Sequence, residues 1–384
     1  MATLGNDARH DVVVVGAGIA GASAAYFLSR KGLDVAVLDK AMLPRYKPCG
    51  GGVPRSAFAL FPFSFEPVVE REVLGVRYSF RGEREVAVAL PSGLAVTVMR
   101  DRLDSFVLQQ SGVVVAEGEQ VCSVHETDED VTIETLSGRR WQAGYVVAAD
   151  GSSSVVARAM GLRTRPALAA ALESEVTVSP DVMRVFGNDV LLILGAVEGG
   201  YLWVFPKHHH LSVGIATFRR CHRNLKAILR SEMGRLGIGL EGVPIYGHTI
   251  PVYRGPERLN TRRVALVGDA AGLVDPLLGE GIRYGIRSAR LAAQSIADND
   301  LASYSRRLHK DICRHLGFGR VWAAMFYKYP RACFETGVRN ARLTRDFGRM
   351  FLGALTYGEM LLRLPTYLFG ARRQCLQFRD SSSS

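Results

Sequence analysis

Four consecutive apolar residues, Val12-Val13-Val14-Val15, stand between Asp11 and the glycine-rich run Gly16-Ala17-Gly18-Ile19-Ala20-Gly21. A short uninterrupted apolar run reads as a strand covered on both faces. Residues 22–31 continue with an Ala-rich helical pattern, and Gly32 stands where a helix C-cap glycine would. Val35-Ala36-Val37-Leu38 is a second buried-type strand, ending in Asp39. Strand, glycine turn, helix and strand with a terminal acid predict a dinucleotide-binding βαβ unit.

The pattern then loosens. A loop, Cys49-Gly50-Gly51-Gly52, leads to a helix expected over 54–60, and short apolar pieces at 76–80, 85–90 and 94–99 predict antiparallel sheet. Residues 102–111 read as a helix and 113–115 as a strand. Residues 121–125, 131–136 and 141–142 read as a small meander. A separate buried strand is expected at 145–149, ending at Asp150-Gly151 and returning the chain to its first sheet. A second antiparallel section spans 167–251, with strands at 190–197, 201–205 and 211–218 and an amphipathic helix over 223–236. Val264-Ala265-Leu266-Val267 is the last core strand, followed by a helix over 281–297 and a helix-like remainder ending in a Ser tail.

The expected fold is therefore α/β, an α+β composite. A Rossmann-like nucleotide-binding domain is assembled from 1–60, 100–165 and 260–300. An antiparallel β-sheet substrate domain is inserted as 61–99 and 166–259, and a helical C-terminal region covers 301–384.

Composition narrows the class. A chain of 384 residues, 48% hydrophobic and 22% charged, has ample material for a buried core and is neither disordered nor fibrous. Its six cysteines are scattered, with no CxxC pair or zinc-like spacing, which points to a reducing, cytoplasmic compartment and to no metal site. The longest uncharged run, 12–29, is broken by three glycines and reads as neither a membrane span nor a signal peptide. The net charge of +11 is carried almost wholly by Arg, since only 7 of the 48 basic residues are Lys. Two readings stay open: attraction to an anionic substrate, lipid surface or redox partner, or a plain compositional preference. No nucleic-acid motif accompanies the charge, so nucleic acid is not an expected partner.

The glycine motif supplies the chemistry of phosphate binding. Gly16, Gly18 and Gly21 allow the tight turn, the backbone approach to a pyrophosphate and close helix packing, with Ala17 between them. Asp39, with Lys40 beside it, falls where a carboxylate accepts ribose hydroxyls. Asp150-Gly151-Ser152 through Arg158 resembles the DG motif of flavoprotein hydroxylases of the p-hydroxybenzoate hydroxylase type. Arg262 through Gly272, containing Gly268-Asp269, with Gly279-Glu280-Gly281-Ile282 following, resembles their GD motif. The resemblance implies FAD, with Asp269 on the ribitol chain and the helix after Gly281 facing the flavin. Arg100, at a helix start, is the matching nucleotide contact or a surface Arg.

Two further stretches narrow the resemblance. Pro44-Arg45-Tyr46-Lys47-Pro48-Cys49-Gly50-Gly51-Gly52, and Tyr201-Leu202-Trp203-Val204-Phe205-Pro206-Lys207 with Val213-Gly214 after it, are similar to motifs of the geranylgeranyl reductase family. That resemblance covers about residues 10–300. It implies reduction of the double bonds of a geranylgeranyl group carried on a diphosphate, a chlorophyll or bacteriochlorophyll precursor, or an ether lipid. The electron donor would be NADPH or a ferredoxin-like protein.

Tyr201, Trp203 and Phe205 alternate and so share a strand face, where they could wall an apolar slot beside the flavin or form ordinary sheet core. Lys207 follows the family pattern as a substrate contact. Cys49 and its loop, with Gly50 and Gly51, could approach the flavin in a redox, gating or relay role, or simply fill a tight turn; Cys313 is a candidate disulfide partner for it. Three adjacent histidines, His208 to His210, suggest a metal or phosphate site but read better as a solvated turn. The segment 349–373 mixes bulky apolar residues with Arg and suits a membrane surface or the protein body equally. Rival readings are an aromatic monooxygenase or halogenase on the same scaffold, and a non-catalytic flavin-bound prenyl carrier.

Overall fold

The computed structural model describes residues 9–82, 84–90, 93–163, 166–219, 224–338 and 340–369. Cys221, Cys375, the start of the helix expected from 223, the apolar-basic segment beyond 369 and the Ser tail lie outside the described residues. The chain divides into two compact units. The first is Met1–Lys47, Arg100–Leu168 and Ile250–Gly317; the second is Pro48–Met99, Ala169–Thr249 and Phe318–Ser384.

In the first unit a sheet runs in the order Val114–Glu117, Val35–Asp39, Arg9–Val15, Arg140–Ala148, Val131–Thr135, Val121–Glu126, with Val264–Leu266 also paired to Arg140–Ala148. The strands around the glycine turn are parallel. Val12, Val13 and Val14 are fully buried at the centre, as a strand covered on both faces requires. The helix Ile19–Ser29 packs against Arg100–Ser111 and Ile282–Ala297. Nine of its eleven residues are buried, which small Ala and Ser side chains allow.

One expectation changes here: the pieces expected at 141–142 and 145–149 are a single strand, Arg140–Ala148. Gly144 does not break it, because one edge of the strand is antiparallel to Val131–Thr135 at its start and parallel to Val264–Leu266 at its end.

The second unit holds a seven-stranded sheet in the order Tyr246–Val252, Ala167–Val176, Leu211–Thr217, Gly200–Pro206, Asp189–Leu194, Gly75–Phe80, Arg84–Ala89. From Ala167–Val176 to Arg84–Ala89 the neighbours are antiparallel, except that Gly75–Phe80 runs parallel to Asp189–Leu194. Gly52–Pro54, Ala95–Val98 and Val69–Glu72 form a small separate sheet.

Two expected boundaries move. Residues 48–60 belong to the second unit, because Gly52–Pro54 pairs with Ala95–Val98. The expected helix there is 3-10, over Arg55–Leu60. The C-terminal region is not separate: residues to Gly317 join the first unit and those from Phe318 the second. In the second unit Phe334 packs with Val86 and Leu194, and Phe351 and Leu352 with Val73, Ala95 and Val190. A short helix, Pro180–Phe186, is additional to the expected elements; Ser179 caps it and Pro180 opens it. Among the described residues no helix is long and apolar enough to cross a membrane.

Candidate active site

The nucleotide-binding candidates gather at the carboxyl ends of parallel strands in the first unit. Gly16 follows Val15, Asp39 ends its strand, Asp150 follows Ala148 by two residues and Gly268 follows Leu266 by two. Ligands of open α/β sheets bind at such an edge, because loops and helix N-termini converge there. Gly21 meets the backbone so closely that a Cβ on it would lie 1.7 Å from the Gly16 carbonyl oxygen.

Asp39 is buried, and its Oδ2 accepts the Ala17 amide at 2.6 Å while Oδ1 accepts that of Ala41 at 2.9 Å. The carboxylate therefore fixes the glycine turn as well as standing where a ribose acceptor is expected. Lys40, beside it, is exposed. Replacing Asp39 by Ala is expected to weaken FAD binding by about 1.5–3 kcal/mol, the usual worth of hydrogen bonds to a charged group. Fluorescence titration of the apoprotein with FAD measures it, and an unchanged dissociation constant would refute this role.

Arg100 is buried rather than a surface residue, and its Nε and Nη2 each lie 3.0 Å from an Asp104 oxygen. Arg45 lies 3.8 Å from the same carboxylate. Both guanidinium groups flank Gly18: a Cβ there would be 3.2 Å from Arg45 Nη2 and 4.0 Å from Arg100 Nη2. Two cations on one buried acid leave a net positive charge at the helix N-terminus, which suits a pyrophosphate. The motifs do not single out Arg45 or Asp104, although Arg100 and Asp104 stand at the i,i+4 spacing of a helical ion pair.

Asp150 Oδ2 accepts the amides of Val155 and Val156, whereas Oδ1 is buried without a hydrogen-bond partner. Burial pushes this carboxyl above its ordinary range, although its hydrogen bonds oppose the shift. Arg163, also absent from the motifs, donates to the carbonyls of Ser152, Asp269 and Ala270 and so ties the DG turn to the GD turn. Lys47 Nζ lies 3.3 Å from Asp269 Oδ2. Gly281 caps the helix Ile282–Ala297, and a Cβ on it would lie 3.4 Å from Asp269 Oδ1; Gly279 adopts a φ of +69°.

These residues fit FAD: a glycine turn with no room for side chains at Gly16 and Gly21, two guanidinium groups beside it, an orphaned acceptor at Asp150 and a second acid at Asp269.

In the second unit the large sheet has two unlike faces. Leu191, Ile193, Leu202, Val204, Leu211, Val213 and Ile215 pack with Leu229 and Met233 into an apolar core. The opposite face carries Tyr201, Trp203 and Phe205, paired with Ala216, Gly214 and Ser212. Trp203 lies across Gly214, where a Cβ would come 2.0 Å from its ring. The Tyr201 and Trp203 rings meet edge to face at 6.3 Å, and the Trp203 Nε1 is buried without a hydrogen-bond partner.

The triple-glycine loop lies on this aromatic row. A Cβ on Gly50 would come 2.9 Å from Trp203 Nε1, and one on Gly52 2.8 Å from the Phe205 ring. Gly51 adopts a φ of +67°, which favours glycine. Lys207, expected at the substrate, is wholly buried and donates to the carbonyls of Gly50 at 2.7 Å and Val98 at 2.8 Å. A buried ammonium needs such acceptors, so the structure gives Lys207 the task of holding the loop. Cys49 Sγ lies 3.4 Å from the Gly51 amide. Cys49 and Cys313 are both free thiols, so the candidate disulfide is not formed. In the histidine run, His210 Nε2 lies 2.9 Å from Glu175 Oε2; no metal-type cluster of His, Cys, Asp or Glu exists among the described residues.

The fold and the first unit's site define an FAD-binding oxidoreductase. Residues 11–46 match the family of FAD dependent oxidoreductases and residues 97–299 that of the FAD binding domain. The menaquinone reductase of Mycobacterium tuberculosis is 30% identical over 368 residues, 88% of this chain and 89% of that protein. The geranylgeranyl diphosphate reductase of Synechocystis is 28% identical, covering 74% of each. A geranylgeranyl bacteriochlorophyll reductase-like structure from Thermoplasma acidophilum has a TM-score of 0.79 at 22% identity, covering 94% of this chain and 100% of the other. The halogenase PltM with bound FAD shares the fold at a TM-score of 0.68 and 19% identity, covering 93% and 83%. The chain belongs to the geranylgeranyl reductase family of FAD-dependent oxidoreductases.

Proposed function

We propose that the protein reduces carbon–carbon double bonds of a prenyl chain, of the geranylgeranyl type, carried on a diphosphate, a (bacterio)chlorophyll precursor or another isoprenoid lipid such as a prenylated quinone. The observation that carries this reading is the aromatic row Tyr201, Trp203, Phe205, packed with the Gly50–Gly52 loop on one sheet face. Kinship with the geranylgeranyl diphosphate and menaquinone reductases supports it.

FAD, when bound and reduced, supplies a hydride from N5. A trisubstituted alkene accepts hydride only as positive charge develops on its branched carbon, so a proton must reach the other carbon. The rings of Tyr201 and Trp203 present π-faces that tolerate that charge and an apolar surface for the chain. Lys207 holds the glycine loop against Trp203 and Phe205, and Arg45 and Arg100, held in place by Asp104, would bind the cofactor's phosphates. The protein works in the cytoplasm or peripherally at a membrane surface, where prenyl lipids partition.

The test is anaerobic. The bound flavin is reduced with dithionite, then geranylgeranyl diphosphate or menaquinone is added while flavin reoxidation and product mass are followed. Reoxidation with products heavier by pairs of hydrogens is expected. A flavin that stays reduced with every prenyl acceptor until oxygen is admitted would overturn the reading in favour of a hydroxylase, a halogenase or a carrier. Reduction of the flavin by NADPH, or only by a reduced ferredoxin, separates the two candidate electron donors.

A further inference from the structure

From Phe318 onward the helix Arg314–Lys328 belongs to the second unit, and its two sides are unlike. Gly319, Trp322 and Ala323 are buried. A Cβ on Gly319 would lie 2.8 Å from the Tyr357 ring, and Trp322 Nε1 donates to the Tyr357 carbonyl at 3.2 Å. On the other side Phe318, Val321 and Met325, with Tyr329 just past the helix end, are 36% to 55% exposed. Steps of three and four residues set them in one row along the helix. Leu362, 83% exposed, continues the row. It stands four residues from Gly358 on the short helix Tyr357–Leu362, and a Cβ on Gly358 would lie 3.1 Å from the Phe318 ring.

Single exposed apolar residues are ordinary, but a contiguous row of them marks a contact surface. The charge around the row says what it contacts. Between Phe318 and Phe334 the sequence has no Asp or Glu, while Arg320, Lys328 and Arg331 are all exposed. Residues 318–369 carry eight Lys and Arg against three Asp and Glu, and of those acids Asp346 is already engaged by Arg349 and Arg363. A second copy meeting this face with its own would set like charges against each other. Residues 370–384 suit it no better, with three Arg and one Asp. An apolar row edged by cations matches a surface that is apolar beneath a layer of negative charge, as an anionic lipid bilayer is.

We infer that this face seats the protein on an anionic lipid bilayer, with Phe318, Val321, Met325, Tyr329 and Leu362 toward the acyl chains and the basic residues at the headgroups. The helix also leads inward. Tyr327 stacks on Phe218 with ring centroids 4.9 Å apart, and Phe218 stands 6.3 Å from Tyr201 at the end of the aromatic row. Phe326 and Tyr201 both pack against the cluster of Val86, Leu194 and Phe334. A prenyl chain leaving the bilayer at Met325 therefore has aromatic surface to follow, past Tyr327 and Phe218, to Tyr201. That delivery rests on the prenyl-reduction reading above, whereas the lipid contact itself needs no substrate.

The experiment is flotation of the full-length holoenzyme with vesicles of phosphatidylcholine, alone or mixed with phosphatidylglycerol. The wild type is expected to float with the mixed vesicles, more weakly with the neutral ones, and less as salt is raised. Val321→Asp combined with Met325→Asp should weaken binding by about tenfold or more, since two apolar side chains are lost and two negative charges gained. Arg320→Gln and Lys328→Gln should each weaken it by about fivefold. Flavin content and thermal midpoint should stay at wild-type levels, because all four residues are exposed. Flavin reoxidation by menaquinone embedded in mixed vesicles should fall in the Val321→Asp, Met325→Asp protein, and reoxidation by geranylgeranyl diphosphate in solution should not.

A Val321→Asp, Met325→Asp protein that floats as well as the wild type would overturn the assignment of this face. A wild type that stays in solution would overturn the lipid contact, and sedimentation then separates the alternatives: a dimer split by the same substitutions makes the face an interface between copies, and a monomer leaves it without an outside partner. A wild type that floats but keeps its flavin reduced with every prenyl acceptor defeats the substrate reading and leaves the lipid contact standing, so the two failures are distinct.

Discussion

Replacing Gly21 by alanine is expected to give a protein without flavin and with little soluble folded material. The added Cβ would sit 1.7 Å from the Gly16 carbonyl oxygen and 3.2 Å from the Ala149 side chain. Neither neighbour can retreat. Gly16 donates its amide to the Leu38 carbonyl and so belongs to the turn, and Ala149 donates to the Val15 carbonyl beside the central strand. The helix Ile19–Ser29 must instead move out from the sheet, while it is also packed against Ile282–Ala297. Overpacking of a core costs about 1–3 kcal/mol where side chains can adjust; with a backbone oxygen as the obstacle, the upper end of that range is the expected minimum. Flavin absorbance after purification and the thermal midpoint measure the two effects. A yellow Gly21→Ala protein with an unchanged midpoint would mean that the helix does not sit on the turn as described.

The second large effect is expected at Lys207. Lys207→Met keeps an unbranched apolar stem one atom shorter but removes the donor to Gly50 and Val98, and the cation that Glu175 and Glu173 feel. Removing one partner of a buried charged group typically costs about 3–5 kcal/mol, and the Gly50 and Val98 carbonyls lose their donor as well. Urea unfolding should show that loss. Flavin binding should change less than stability, because the loop that Lys207 holds lies in the second unit and the phosphate-binding residues in the first.

The same residue fixes a pH signature. Burial holds Lys207 below the ordinary lysine range, and Glu175, Cys49, Glu70 and Glu173 restore only part of the shift. The unfolded chain therefore binds this proton more tightly than the folded protein. Below the folded value both states are protonated and the burial penalty is in full force. Between the folded value and the ordinary lysine value stability rises with pH. The wild type should thus gain on Lys207→Met as pH climbs from the folded toward the ordinary lysine value, and parallel stability curves would show that Lys207 carries no buried charge.

Much of this protein is legible in its sequence. The four valines and the glycine turn announce a strand buried on both faces and a phosphate-binding helix start, because those demands fall on consecutive residues and leave few sequences able to meet them. Asp39, Asp150 and Asp269 stand out for the same reason: each lies at the end of a strand, and its position follows from the strand's apolar run. The alternation of Tyr201, Trp203 and Phe205 gives their common face, since side chains of a strand alternate.

What the sequence alone determined, then, is what neighbouring residues decide among themselves: strands, turns and the identity of the cofactor site. Only the tertiary structure decided which distant residues meet. It set Arg45 beside Arg100 on Asp104, and Arg163 across two turns. It turned Lys207 from a substrate contact into the buried support of the Gly50 carbonyl, and it brought Glu173 onto the face of Trp203 through Gly214. The reason is physical: strand register and burial are cooperative outcomes of the whole sheet. A charged residue's role depends on who neutralises it once water is gone, and neither is written in the spacing of the residues concerned.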